Sequence, residues 1–311
     1  MRRPAVKKLD AVLLLARASF GDRRRWSITR ILVTLSVVAG LVAVLVWWIW
    51  PKPQLPPLLM VAYDQVALPD ETVFLRAAVE PIQGSSADMD LSGCELFFLD
   101  LKAQELLARV PTNRHGVAEL SRQFPVGEPG EILVRYRGEE SRLAVFVWPE
   151  DSGLLIVDAD HALADVAEEH LWTLNYLDIR PVAGAARALQ GVRKKYQIVY
   201  LSHGADRPSR YRKLRALLGH GGGQEQFPEG PLLATACHPA ATDAAAFQQD
   251  MITYLKRRFH GKMVGVVTRI EEAQVFEQAG LKTFLVGDAG TLPDGVTHIK
   301  SWRDLAGDLT N

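Results

Sequence analysis

Residues 153–163 read GLLIVDADHAL, and this stretch decides the fold of the C-terminal half of the chain. Four large apolar residues followed by two aspartates are typical of a strand that is buried on both faces and ends in polar side chains. A second run of this kind, YQIVYLSHG, occupies residues 196–204. Both runs are therefore predicted to be parallel strands of one sheet.

Strands and helices alternate along the rest of this half. Further strands are predicted at 230–235, 262–268 and 282–288, and helices at 165–177, 182–196, 209–220, 244–259 and 271–280. This alternation predicts an α/β domain over residues 152–311, a three-layer sandwich with a mostly parallel sheet. Such sheets place their site at the carboxyl ends of the strands, which directs attention to Asp158, Asp160 and Ser202.

Residues 58–149 show a different pattern of short strands and turns. Strands are predicted at 72–80, 94–100, 116–124, 130–138 and 140–148. Alternation of apolar and polar residues in the last two predicts a β-sandwich with one face of each strand buried. The order of these features resembles that of bacterial immunoglobulin-like (Ig-like) domains, which implies a spacer or adhesion module.

Residues 31–50, ILVTLSVVAGLVAVLVWWIW, carry no charge. A helix of this length is about 30 Å long, the thickness of the hydrocarbon core of a bilayer, so one transmembrane helix is predicted. Residues 1–30 are basic, and the positive-inside rule places them in the cytoplasm and the C-terminal domains in the periplasm or outside the cell. The Pro-rich residues 51–57 are predicted to form a stiff linker.

The chain of 311 residues has 36 basic and 36 acidic side chains, a net charge of +0. Residues 1–30 hold nine basic and two acidic residues, so the remaining 281 sum to −7. Without a basic surplus in the folded part, a nucleic acid is excluded as a partner, and the lipid bilayer is the expected one. Cations downstream of the second strand form either a solvated helix surface or an attraction for anionic headgroups. They are Arg207, Arg210, Arg212 and Lys213.

The segment VDADHAL, residues 157–163, resembles the first motif of the haloacid dehalogenase-like (HAD) superfamily. Its members have a Rossmannoid fold and are largely Mg²⁺-dependent phosphohydrolases. Residues 179–204 are similar to the helix and second-motif strand of that family, and 265–287 to its fourth-motif segment. Residues 227–235 and 246–259 resemble the lipin and phosphatidate-phosphatase branch. The resemblance implies a phosphorylated small molecule or lipid headgroup as substrate.

The resemblance also implies catalytic roles. Asp158 is the expected nucleophile, which forms an aspartyl-phosphate and so divides a difficult displacement into two steps. Asp160 is the expected general acid and base for the leaving group and the water. Ser202, His203 and Gly204 are expected to hold the phosphoryl oxygens.

A Mg²⁺ ion is implied for the active form of this site. Its expected ligands are Asp158, Asp160 and Glu272, with Glu271 as the alternative to the last. Carboxylate oxygens are the ligands that Mg²⁺ prefers. His161 also follows the first strand, and it is either a ligand contact or a solvated loop residue.

Several positions depart from the family pattern. Ala162 replaces a threonine of the first motif, and Thr268 stands where the fourth motif has its first acid. The third-motif lysine aligns near Gln248, with Lys256 and Lys262 as neighbouring candidates. Loss of an anionic oxygen ligand weakens Mg²⁺ binding.

Three functions follow as hypotheses. The first is a membrane-anchored protein whose phosphatase-fold domain is catalytically impaired and acts in binding. The alternative is a divergent Mg²⁺-dependent phosphomonoester hydrolase that uses Asp158 and acts on phosphorylated lipid headgroups. The third is an envelope scaffold in which both domains are interaction surfaces.

Overall fold

The computed structural model describes residues 28–49, 57–82, 89–125, 130–220, 226–237, 243–288 and 290–310. The chain divides into two compact units, Met1–Leu55 and Pro56–Asn311. The basic segment up to residue 27 and the linker up to residue 56 lie outside the described residues.

The first unit contains helix α1 (Ile28–Ile49), whose 22 residues extend about 33 Å. Arg30 is its only charged residue, and apolar side chains such as Leu32, Val38 and Leu45 are exposed. Among the described residues, no helix meets the length and hydropathy required of a membrane span. The transmembrane helix predicted at 31–50 is therefore not confirmed.

The N-terminal half of the second unit is built from two β-sheets. Its strands are β1 (Leu58–Tyr63), β2 (Gln65–Ala67), β3 (Thr72–Pro81), β4 (Glu95–Asp100), β5 (Glu105–Pro111), β6 (Val117–Gln123), β7 (Gly130–Tyr136) and β8 (Glu139–Val147). One sheet has the order β1-β3-β6 and the other β2-β8-β7-β4-β5. All pairs are antiparallel except β2 with β8. Short turns join β4 to β5 and β7 to β8, as antiparallel pairing permits.

Alternating burial explains why these segments form strands. In β3, Val73, Leu75 and Ala77 are buried, whereas Thr72 before them and Phe74 among them are exposed. Side chains that alternate in this way cover the core with one face of the sheet and meet water with the other. The bounds of β3, β4, β6, β7 and β8 confirm the positions of the five strands predicted between residues 72 and 148.

The C-terminal half contains one six-stranded parallel sheet of order β11-β10-β9-β12-β13-β14. Its strands are β9 (Leu154–Asp158), β10 (Gln197–Ser202), β11 (Leu232–Ala234), β12 (Met263–Val267), β13 (Lys282–Val286) and β14 (Val296–Ile299). Its helices are α2 (Glu168–Thr173), α3 (Ala185–Val192), α4 (Pro208–His220), α5 (Ala244–Arg258), α6 (Ile270–Gln278) and α7 (Trp302–Thr310). The chain order reverses between β9 and β12, so these two adjacent strands flank the switch point at which sites of such sheets form.

Strand β9 lies in the middle of three layers. Leu155 and Val157 join one core with side chains of α3, α4 and α7, and Leu154 and Ile156 join another with α5 and α6. The continuous apolar run in the sequence is required because helices cover both faces of the sheet. The predicted three-layer α/β architecture with a parallel sheet is confirmed.

The two halves of this unit share a core and a buried charge. Asp64, which is 1% exposed, places a carboxylate oxygen 3.1 Å from Nε of Arg215. Its carboxylate accepts hydrogen bonds from the N–H groups of Ala144 at 3.0 Å and Leu232 at 3.3 Å. Its own N–H donates to the Tyr211 hydroxyl at 2.9 Å. The β-sheets and the α/β half are therefore held together by bonds that cross from one to the other.

Some elements differ from the prediction, each for a physical reason. Strands β5 and β14 lie at sheet edges and expose many of their side chains, so their sequences lack a clear apolar pattern. Strand β1 has all six side chains buried, because it packs against the α/β half as well as its own sheet. In place of the single helix predicted at 165–177, the chain forms the short helix α2 and a separate 3₁₀ turn at Tyr176–Asp178.

Candidate functional site

The carboxyl end of β9 carries two buried aspartates. Asp158 is the last residue of the strand and Asp160 follows in the turn, and they are 2% and 5% exposed. The N–H of His161 donates to Oδ2 of Asp158 at 2.9 Å, and the N–H of Ala159 donates to the carbonyl of Leu201 at 2.7 Å. These bonds hold the turn against the neighbouring strand β10 and bring both carboxylates into the interior.

Asp160 binds the residues predicted to hold phosphate. The Ser202 hydroxyl donates to its Oδ1, and the Gly204 N–H donates to its Oδ2 at 2.8 Å. The Ser202 oxygen also accepts from the N–H of Ala205 at 3.0 Å. The structure thus brings Asp160, Ser202 and Gly204 together as predicted, but the two donors already serve a carboxylate of the protein itself.

Trp172 covers this turn from outside. A Cβ atom on Gly204 would lie 2.4 Å from Cζ2 of the Trp172 ring, so the indole packs directly on the glycine backbone. The Arg210 guanidinium lies 5.2 Å from the centre of the same ring and donates to the Gly204 carbonyl at 3.3 Å. His203 turns instead toward α5, with its ring 6.3 Å from that of Phe247.

The acid predicted from the fourth motif is Glu272. It lies in the first turn of α6, and its Oε1 is 3.5 Å from Nε2 of His161. Its Oε2 is buried, and no described residue forms a hydrogen bond with it. Glu271 points to solvent, is 77% exposed, and has Arg269 as an ion-pair partner at 3.7 Å. The orientation of α6 therefore places Glu272, and not Glu271, beside His161.

Asp158, His161 and Glu272 form a cluster with metal-ligand geometry. One ligand atom from each lies within 4.8 Å of the others. Asp160, which the sequence predicts as a ligand, is not part of this set. The role of His161 was not resolved by the sequence, although its place immediately after the D-x-D stretch is a signal for it. It is half-buried rather than solvated.

Burial and mutual repulsion change the protonation of this cluster. Burial raises the pKa of Asp158 well above its usual range, and the charges of Glu272 and Asp160 raise it further. Burial also raises the pKa of Asp160, against the lowering effect of the Gly204 N–H and the Ser202 hydroxyl. Burial raises the pKa of Glu272 to about 8, against the lowering effect of Arg269. A divalent cation bound among these carboxylates would take the place of their protons and neutralise the negative charges that repel each other.

The lysines considered for the third motif lie elsewhere. Lys256 donates to the Ala279 carbonyl at 2.8 Å, at the end of α6 far from the cluster. Lys262 precedes β12, and its carbonyl accepts a hydrogen bond from the N–H of Leu154. Leu154 begins β9, so Lys262 lies at the end of the strands opposite to Asp158. Gln248 is buried in α5. Both lysine candidates are therefore wrong as neighbours of the aspartates.

The cations that follow Ser202 have partners within the protein. Arg207 and Arg210 lie 3.6 and 3.2 Å from the Asp206 carboxylate, and Arg212 lies 3.8 Å from that of Glu139. Lys213 donates to the carbonyl of Leu174. Of the two alternatives, the geometry favours a balanced helix surface over an open attraction for anionic headgroups.

Comparisons with known proteins add structural likenesses. The sequence matches no family model, and a search of curated proteins returns no match. A D,D-heptose 1.7-bisphosphate phosphatase from B. bronchiseptica, complexed with magnesium and phosphate, aligns with 51% of this chain and 98% of its own, at 13% identity and a TM-score of 0.42. An L-2-haloacid dehalogenase aligns with 43% of this chain and 58% of its own, at 13% identity and a TM-score of 0.34.

Immunoglobulin domains are also among the structural neighbours. The first immunoglobulin domain of Dpr1, bound to that of DIP-eta, aligns with 30% of this chain and 99% of its own, at 10% identity and a TM-score of 0.23. The neighbours of the whole chain thus include HAD-family phosphatase and dehalogenase folds as well as immunoglobulin domains. At these identities and scores, function has to be inferred from the side chains of the site.

Proposed function

We propose that residues 152–310 form a HAD-like module that does not hydrolyse phosphate esters and acts in binding, next to an Ig-like β-sandwich. The observation that carries this proposal is the bonding of Asp160 to Ser202 and Gly204. A phosphoryl group entering the site would meet a carboxylate where it requires hydrogen-bond donors. The negative charge of the Asp160 carboxylate opposes the binding of an anion next to it.

Three further features support the lack of turnover. A carboxyl nucleophile has to be ionised to attack phosphorus, and burial together with two acidic neighbours raises the pKa of Asp158. Neither lysine candidate lies near the aspartates to offset the charge of a phosphate. Thr268 stands where the family pattern has an acid, so one anionic metal ligand is missing.

The alternative is a divergent Mg²⁺-dependent phosphomonoester hydrolase. The observation in its favour is that Asp158, the expected nucleophile, and Glu272 converge in one cluster at the switch point of the sheet. A Mg²⁺ ion bound there would neutralise charge between carboxylate and phosphate. In this hypothesis Asp160 releases the Ser202 hydroxyl and the Gly204 N–H, so that both groups bind the phosphoryl oxygens.

Hydrolysis of p-nitrophenyl phosphate at increasing Mg²⁺ concentration tests the proposal. We compare the wild-type chain with Asp158→Asn and with Asp151→Asn, a matched control that changes an exposed aspartate outside the cluster. The expected result is the same background rate in all three proteins. Mg²⁺-dependent turnover that Asp158→Asn abolishes and Asp151→Asn retains would overturn the proposal in favour of the hydrolase.

The proposed place of action is a membrane surface. The support is the uncharged stretch 31–50 and the length of α1; the hydropathy finding for the described helices stands against it. We expect the wild-type chain to sediment with membranes after alkaline extraction, and Val38→Asp with Val42→Asp to release it. Phe74→Asp, an exposed apolar residue of β3, is the control and leaves sedimentation unchanged. Extraction of the wild-type chain would refute the tether.

The same proposal includes an orientation. By the positive-inside rule the basic N-terminal segment stays in the cytoplasm and the folded unit from residue 56 lies across the membrane. A C-terminal reporter enzyme that works only outside the cytoplasm is expected to be active. Activity of a reporter that works only inside the cytoplasm would refute this orientation.

A further inference from the structure

We propose that Asp158, His161 and Glu272 form a binding site for a transition-metal ion of the Zn²⁺ type, in preference to Mg²⁺. The inference rests on the proposed binding function and names a ligand for it. The ion departs from the Mg²⁺ that the family resemblance implies, because this chain contributes an imidazole nitrogen to the cluster.

One pair of ligands in the cluster has a spacing that suits a compact ion. Asp158 is the last residue of β9, His161 lies in the turn that follows this strand, and Glu272 lies in the first turn of α6. Nε2 of His161 and Oε1 of Glu272 are 3.5 Å apart. Two ligands of a tetrahedral ion with bonds of about 2.0–2.2 Å are separated by about 3.3–3.6 Å. This pair therefore has the required spacing.

A second observation points to a ligand at the same place. Oε2 of Glu272 is buried and has no hydrogen-bond partner among the residues that the structure describes. Leaving such a polar atom without a partner is unfavourable, and more so when the group is charged. A cation held between the two carboxylates would satisfy this oxygen as well as relieve the repulsion between them.

The donor set decides which ion is preferred. Mg²⁺ takes oxygen ligands in near-octahedral geometry, whereas an imidazole and two carboxylates suit Zn²⁺ and other first-row transition metals. Asp160 does not add the third oxygen, because it is bonded to Ser202 and Gly204. Three protein ligands leave at least one position of the ion open for water or an incoming anion.

Arg269 lies at the edge of this cluster, with Nη1 3.3 Å from Nε2 of His161. A guanidinium at that distance repels a bound cation. Its side chain is 50% exposed and also lies 3.7 Å from the Glu271 carboxylate, so it can turn toward solvent and that partner. Removal of Arg269 is consequently expected to tighten metal binding.

Competition with a chromophoric chelator tests the proposal on the metal-free full-length chain. The wild type is expected to bind one Zn²⁺ per chain, and an equal concentration of Mg²⁺ is expected not to displace it. His161→Gln is expected to weaken Zn²⁺ binding by at least about tenfold, since even loss of an outer-sphere contact costs 10–100-fold. Arg269→Ala is expected to bind Zn²⁺ more tightly than the wild type.

His260→Gln is the matched control. His260 also has a glutamate partner, with Nδ1 2.9 Å from Oε1 of Glu150, but this pair is exposed. The control is expected to bind Zn²⁺ as the wild type does. Circular dichroism shows whether His161→Gln is still folded. If it is, a change in the visible absorption of the Co²⁺-loaded protein reports the loss of the nitrogen ligand.

The outcomes distinguish this inference from the proposed function. Absence of stoichiometric Zn²⁺ binding, equal binding by the wild type and His161→Gln, or displacement by equimolar Mg²⁺ would overturn the metal site and leave the non-catalytic role intact. Mg²⁺-dependent hydrolysis lost in Asp158→Asn would overturn the non-catalytic role by itself, whatever the Zn²⁺ titration shows.

Discussion

Arg215→Ala is the most informative change to the folded unit, because it leaves the buried carboxylate of Asp64 without its cation. Asp64 is 1% exposed and its Oδ2 lies 3.1 Å from Nε of Arg215. Removing one partner of a buried ion pair costs about 3–5 kcal/mol. Since Arg215 is 33% exposed and water screens it, we expect the lower end, about 3 kcal/mol.

Thermal unfolding of the full-length chain measures this cost. For folded units of this size, about 1 kcal/mol corresponds to about 2–4 °C in Tm, so the expected loss is about 6–12 °C. Arg212→Ala is the matched control. Its partner Glu139 is 3.8 Å away and both side chains are largely exposed, so we expect a loss of less than about 1 kcal/mol.

The dependence on pH follows from the sign of the Asp64 shift. Burial raises the pKa of Asp64, against the lowering effect of Arg215. A raised pKa in the folded state means that this carboxyl contributes stability at low pH that is lost as the pH rises through the folded value. Without Arg215 the folded pKa rises further. The destabilisation by Arg215→Ala is therefore expected to be smaller at pH 4 than at pH 7.

A double mutant separates lost charge compensation from lost packing. In an Asp64→Asn background no buried charge needs a partner, so Arg215→Ala is expected to cost less than about 1 kcal/mol there. An Arg215→Ala cost equal to that of Arg212→Ala would refute the reasoning. A cost that is unchanged in the Asp64→Asn background would refute it as well.

Two further predictions concern the candidate site. In metal-free buffer, burial raises the folded pKa of Glu272 to about 8, so this group loses at most about 1.4 kcal/mol of stability per pH unit as the pH rises from about 4.5 to about 8. Glu272→Gln is expected to remove this loss. Urea unfolding at several pH values measures the slope, and a slope that Glu272→Gln leaves unchanged would contradict the expectation. Gly204→Ala places a Cβ 2.4 Å from the ring of Trp172 and is expected to destabilise by about 1–3 kcal/mol. Gly219→Ala, at a helical position where a Cβ would meet no neighbouring atom of the described residues within 4 Å, is expected to stabilise by up to about 1 kcal/mol in the same assay. An equal effect of both substitutions would contradict the packing argument.

Local pattern was sufficient for much of the parallel sheet. The apolar runs that became β9 and β10 are buried on both faces, and a strand under helices on both sides requires that composition. Because Asp158 and Asp160 follow the first of these runs directly, the sequence was enough to place them at the carboxyl end of β9. The edge strand β14 was missed, because its largely exposed residues carry no comparable pattern.

The candidate site was only half visible in the sequence. Asp158 and Asp160 are two residues apart and look equivalent, yet Asp158 faces His161 and Glu272 while Asp160 bonds to Ser202, 42 residues later. Motif order cannot distinguish these partners, because each belongs to a different element. The distance and direction between the ends of β9, β10 and α6 set which side chains meet.

The sequence by itself determined the class of each segment: an uncharged stretch, a β-rich half, and an α/β half with acids at the end of its first strand. Those features depend on neighbours along the chain, through periodicity and burial. Only the tertiary structure decided that Asp64 and Arg215 form a buried pair across the two halves and that Asp160 occupies the donors expected for phosphate. These contacts join residues distant in sequence, and the packing of the elements determines them.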